Sequence, residues 1–243
     1  MKSITKGIFE INISESLEYI STHIINILFC KMEEYKKIYN VNDFRNLTIN
    51  IFDDKEKFRN FIYEIRKSNT LPEYATWTFD KGMINLYIDI SKLKDNNNYY
   101  NHAIHTPAHE LFHIMYKEII LKNDYKKRII WFDEGMAQFM SGELDLLNDD
   151  KKFYEFYIKT RETTKEIPLL NEIDHGKSFV NDKYNGYKLS YLSIKYLNEI
   201  LDKKEFVSLI HDFDKINVFG YSIVNEMFNY FDKKYNIKCG LFI

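Results

Sequence analysis

Hydrophobic and polar positions alternate in the front half of the chain and recur at helical spacing in the rear half. Phe9, Ile11 and Ile13 alternate with Glu10 and Asn12, which predicts a short strand. Ser14 follows as an N-cap for a helix through about Tyr39. Leu47–Phe52 reads as a second strand, and Asp53-x-x-Glu56 as the capping signal of a helix to about Lys67. Tyr74–Phe79 and Met83–Ile90, joined by Asp80-Lys81-Gly82, predict a hairpin in which Ile84, Leu86 and Ile88 alternate. A polar loop at Lys94–Asn98 precedes the next helical run, and a loop at Lys122–Arg128 follows it. Beyond that the pattern is mainly helical, over about 133–147, 151–161, 187–201, 204–213 and 222–234, with Ile167–Ser178 as the main loop.

These elements predict an α+β fold. A mixed or antiparallel sheet lobe would pack on a mainly helical lobe, with a cleft between them. The expected divisions are an N-terminal strand and helix extension at 1–45, the sheet lobe at 46–125 and the helical lobe at 126–243. No internal repeat is present.

Composition narrows the class without naming a chemistry. Apolar residues make up 45% of the 243, enough for a sizeable core, so disorder is not indicated. The formal net charge of −2, with basic and acidic residues interspersed, disfavours a nucleic-acid partner. Met1-Lys2-Ser3-Ile4-Thr5-Lys6-Gly7 lacks the features of a signal peptide, and Ile24–Phe29, the nearest approach to a membrane span, is far too short to cross a bilayer. Cys30 and Cys239 are too few and too distant for a disulfide framework. The expectation is a cytoplasmic protein with no membrane partner, its oligomeric state open.

The chemistry concentrates at His109-Glu110-Leu111-Phe112-His113. Residues four apart on a helix share a face, so His109 and His113 can bind one Zn²⁺ at about 2.0–2.1 Å each. Glu110 stands beside them, where a carboxylate can take a proton from water. The alternative is an amphipathic helix with two solvated or hydrogen-bonded histidines. A catalytic zinc needs a third protein ligand and an open position. Glu134, in Trp131-Phe132-Asp133-Glu134-Gly135-Met136-Ala137, is the best candidate; the competing reading is a first-turn carboxylate favoured by the helix dipole. Gly135 would let this helix approach the first closely. The residues point to a zinc-dependent hydrolase acting on peptides.

The two motifs together resemble the gluzincin (thermolysin-like, MA clan) metallopeptidases, closest to the small peptidase MA-like proteins. The resemblance covers roughly residues 45 to 235 in general pattern and is sharp only in the two motifs. It implies a zincin-like fold, His109, His113 and Glu134 as zinc ligands, and Glu110 as general base. Many relatives carry an acidic residue four after the ligand Glu, bonded to a zinc histidine. Here that position is Gln138, which can accept the bond but carries no charge, so the metal would be held more weakly. The resemblance also implies a substrate-pairing sheet edge at Ala75, Thr76 and Trp77, the alternative being an interior strand.

An oxyanion donor is expected downstream. Tyr184-Asn185-Gly186-Tyr187-Lys188-Leu189-Ser190-Tyr191 resembles the aminopeptidase-type Tyr-x-x-Gly helix start, with Ser190 where a Gly is common; in that register Tyr187 comes first and Tyr184 and Tyr191 behind it. Nineteen tyrosines make a well-placed one cheap. His105 lies four before His109, but Pro107 argues for a helix starting there, with Thr106 as N-cap. His102, His23 and His211 read as ordinary solvated or helical residues, and His175 as a loop residue able to contact substrate. A zinc-binding regulatory module that cleaves nothing, and a narrow-specificity protease acting on one intracellular protein, remain alternatives.

Overall fold

Five strands form one mixed sheet in the order β1-β2-β3-β5-β4. They are β1 (Lys2–Lys6), β2 (Phe9–Ile13), β3 (Leu47–Phe52), β4 (Trp77–Asp80) and β5 (Met83–Tyr87). The computed structural model describes residues 1–68, 71, 76–173 and 178–237, and statements of number or absence refer to these. The fold class is α+β. The chain divides into two units, Met1–Leu111 and Phe112–Ile243.

In the first unit, β2 and β3 run parallel, as do β3 and β5, while β1 and β4 pair antiparallel at the two edges. Parallel neighbours need a crossover, and α1 (Glu18–Tyr39) and α2 (Lys55–Arg66) provide it. Pleating sends Ile11, Ile49 and Ile84 to one face, where all three are fully buried. On the other face Phe52 packs with Phe58 and Ile62 of α2. That face also carries a polar row: Asn12 donates to Asn50 (3.1 Å) and Asn50 to Asn85 (2.8 Å). Buried amides persist only when paired, so this row favours one register across three strands.

Residues 1–45, expected as an extension, therefore supply two strands and a helix of the sheet unit. The hairpin forms as expected, because Lys81 (φ 47°) and Gly82 (φ 81°) supply the two left-handed residues of a tight two-residue turn. The cap of α2 is Asp54, which accepts from the amides of Glu56 and Lys57. Asp53, expected in that role, instead accepts from the Ser16 hydroxyl.

The polar loop at Lys94–Asn98 is a junction between helices α3 (Ile90–Asp95) and α4 (Asn97–Ile114). Pro107 does not start α4 but lies inside it. Thr106 is not a cap: its hydroxyl donates back to the His102 carbonyl at 2.8 Å. Tyr35 of α1 donates to the Ala108 carbonyl at 3.4 Å, and Tyr100 of α4 lies 2.6 Å from His23 Nδ1. These contacts tie α4 to α1 within the first unit and offset the lost helix bond at proline.

The second unit takes over in the last residues of α4, which continue as a π-helical turn, Met115–Ile120. Then follow α5 (Ile130–Ser141), α6 (Asp150–Thr163), α7 (Gly186–Ile200), α8 (Lys203–Ser208) and α9 (Phe213–Lys234). The last begins nine residues before its expected start, because Asp212 caps it by accepting from the Lys215 amide. Gly135 packs α5 on α7: a Cβ there would lie 2.6 Å from the Ser190 carbonyl oxygen and 2.8 Å from Ile194 Cγ1. The close approach expected of Gly135 is thus made to α7. No described helix is long and apolar enough to cross a membrane.

Candidate metal centre

His109, Glu110 and His113 sit on the buried stretch of α4, at 8%, 3% and 3% exposure. Glu134, the fifth residue of α5, is 3% exposed. Each of His109, His113 and Glu134 offers one donor atom, and the three atoms lie within 4.8 Å of one another. Among the described residues this is the one such group, and it could hold a metal ion. His105 is half-buried one turn earlier and is not part of it.

Two distances support that reading. His113 Nε2 and Glu134 Oε2 are 3.5 Å apart, longer than a good charge-assisted hydrogen bond. A tetrahedral ion with arms of about 2.1 Å has edges of roughly 3.4 Å. His113 Nδ1 lies 2.6 Å from Asp133 Oδ1, which fixes the ring with Nε2 on the side of Glu134. Asp133 is fully buried, and Arg128 donates from Nε to its other oxygen at 2.5 Å. The same guanidinium is 3.5 Å from Glu134 Oε1.

Charge leads to the same conclusion. Glu110, Asp133 and Glu134 are buried carboxylates, and Arg128 is the cation in contact with two of them. Buried carboxylates in excess of the adjacent cation favour a positive partner, since an uncompensated buried charge is costly. Burial lowers the His113 pKa, but the adjacent carboxylates of Asp133 and Glu134 outweigh it and raise it to about 9. Burial likewise raises Asp133, but His113 and Arg128 hold it below the ordinary carboxylate range. Without metal, the pocket attracts a proton to His113.

The partner expected for a zinc histidine was Gln138. Asp133 is the partner of His113, and Gln138 Oε1 is buried with no hydrogen-bond partner. The reason is angular: one residue before Glu134 and four after it lie on different sides of α5, and His113 meets the earlier one. The available signal was an acidic residue adjoining the ligand inside an apolar helix.

The other expected residues are more dispersed. Tyr187 is half-buried in the first turn of α7, its ring edge-on to Phe179 at 4.7 Å. Tyr191 is buried against Phe156, and burial raises its hydroxyl pKa. Tyr184 lies before the helix, its amide donating to Asn181. β4 is a sheet edge rather than an interior strand. The Thr76 carbonyl is used within the sheet, accepting from the Tyr87 amide at 2.7 Å. The alternation of an antiparallel ladder then turns the N–H and C=O of Trp77 outward. Ala75, His175 and Cys239 lie outside the described residues. The sequence matches no protein-family model and no curated protein, so the functional argument rests on geometry.

Proposed function

We propose that this protein is a zinc-dependent metallopeptidase of the gluzincin type, with a zincin-like arrangement of its elements. The observation that carries the reading is the buried His109–His113–Glu134 group with Glu110 on the same helix face. A His₂Glu set is a known catalytic zinc set, whereas closed structural sites use four protein ligands, usually including cysteine. Bound zinc would supply Lewis-acid activation of water and positive charge for the oxyanion.

The chain's own groups do the rest. Glu110, buried beside the ligands, accepts the proton of the attacking water and returns it to the leaving amine, a role worth about 10²–10⁴-fold. Asp133 holds His113 in one tautomer, and Arg128 holds Asp133. Tyr187, on the helix packed against α5, is the candidate donor to the oxyanion. Trp77, with its outward backbone groups, is the candidate pairing site for an extended peptide.

The test is elemental analysis together with digestion of a peptide library by purified protein. Wild type should carry one zinc per chain and cleave peptide. Glu110→Gln should keep the zinc and lose at least 10²-fold in kcat. A metal-loaded Glu110→Gln protein that cleaves at the wild-type rate would remove Glu110 as base. A zinc-bound wild type that cleaves nothing would favour a non-catalytic zinc module.

A further inference from the structure

A second feature of the first unit lies on the same helix face as the metal motif. Trp77, Leu86, Ile88, Tyr99 and Ala103 are the main apolar walls of a pocket of about 100 Å³, which Thr106 and His102 also line. Successive residues of a helix turn by about 100°, so Tyr99, His102, Ala103, Thr106, His109, Glu110 and His113 fall within an arc of roughly 120°. The pocket and the candidate ligands therefore lie along one stripe of α4. Its helical wall is centred about 13 Å before the midpoint of the two histidines, at 1.5 Å per residue.

The wall chemistry selects an apolar guest. The Thr106 hydroxyl hydrogen is given to the His102 carbonyl. The Tyr99 oxygen accepts from the Asp89 amide at 2.8 Å, and the Thr76 carbonyl from the Tyr87 amide. These three polar groups are thus engaged within the protein, and among the described residues no lysine, arginine or carboxylate lines the space. A cavity of about 150 Å³ with apolar walls takes benzene, so this one is sized for a branched aliphatic side chain, with a phenyl ring at its limit. Trp77 belongs both to the wall and to the open sheet edge.

We propose that this pocket is a specificity subsite that receives a leucine-like side chain of the peptide substrate. At about 3.3 Å per extended residue, it takes the side chain two to four residues from the bond that is cut. A strand laid along the edge at Trp77 would send alternate side chains to the pocket side. The subsite assignment rests on the peptidase reading for its substrate, though not for its ability to bind an apolar group.

The experiment is a peptide-library digest by the zinc-loaded full chain, read as residue frequency at each position around the cut. Leu, Ile, Met or Phe should be enriched at one position two to four residues away. In Ala103→Leu, which fills the pocket, the ratio of kcat/KM for peptides with Leu against Gly at that position should fall at least ten-fold. Trp77→Ala, at a 40% exposed residue that folding tolerates, should lower the same ratio by removing a wall. Cleavage without that enrichment, or enrichment unchanged in both variants, overturns the proposal.

If no peptide is cut, the peptidase reading fails, and binding decides the pocket separately. The chain has two tryptophans, so the Trp77 indole N–H signal is identified by its loss in Trp77→Ala. In metal-stripped protein it should shift with N-acetyl-leucinamide and not with N-acetyl-glycinamide. Equal shifts, or none, overturn the proposal.

Discussion

Replacing Asp133 with alanine would separate two effects of one carboxylate. It orients His113 through the 2.6 Å contact at Nδ1, and it raises the affinity of that imidazole for protons. Loss of such an orienting partner costs about 10–100-fold in metal affinity, or 1.4–2.7 kcal/mol. The second effect has the opposite sign at neutral pH. With His113 at about 9, a proton competes for Nε2 and weakens zinc binding at pH 7 by roughly 100-fold. Without Asp133 the imidazole falls toward 6.5 and most of that competition disappears. The wild-type zinc Kd should therefore fall about ten-fold per pH unit from 7 to 9, while Asp133→Ala should be nearly flat. The curves should approach near pH 7 and separate by about 10–100-fold at pH 9.5. Competition with a chromophoric chelator across pH measures this, with circular dichroism confirming that both proteins are folded. Gln138→Ala is the control and should leave the Kd within about two-fold, since its buried Oε1 has no hydrogen-bond partner to lose. Equal Kd values for wild type and Asp133→Ala at pH 9.5, or a comparable loss in Gln138→Ala, would refute the assignment of Asp133.

Three further outcomes follow from the same structure. In metal-free protein, the folded His113 at about 9 exceeds its unfolded value near 6.5, so its stabilisation is complete below 6.5 and lost as pH rises through 9. Asp133, held low, contributes above 3.8 and loses that contribution as pH falls. The metal-free Tm should therefore plateau near pH 5–6.5 and decline by pH 9; a level profile to pH 9 would contradict this. Gly135→Ala should cost about 1–3 kcal/mol in denaturant unfolding, because the new Cβ would meet the Ser190 carbonyl, which the helix holds in place. An unchanged midpoint would mean that α5 and α7 have room to spare. Tyr187→Phe should lower kcat by about 10²–10³ while leaving zinc content intact, and an unchanged kcat would remove the tyrosine from the oxyanion role.

The candidate metal-site residues were legible in the sequence because their relation is local. His109 and His113 are one helical turn apart, and one turn of α4 suffices to align them. Glu134 was legible as the carboxylate opening the next apolar helix. Asp133 was not singled out, because the side of α5 that meets His113 depends on how that helix is rotated, and neighbouring residues differ by about 100°. Gly135 was recognised as a point of close approach, but its partner proved to be α7, more than fifty residues later. The wall of the pocket at Ala103 could not have been read at all, since it joins the hairpin to a stretch of helix lying ahead of the point where Pro107 was expected to start it.

Strand content followed the same division. β2, β3 and β5 carry apolar side chains at alternate positions and so leave a period of two in the sequence. β1 buries none, leaving no such period, and only its pairing with β2 makes it a strand. By itself, then, the sequence determined the elements whose hydrophobic period is strong and the candidate ligand pair that one helix aligns. Tertiary structure alone decided which carboxylate steadies His113, what Gly135 touches and where an apolar pocket forms. These depend on rotations and contacts between segments distant in the chain, and local spacing does not encode them.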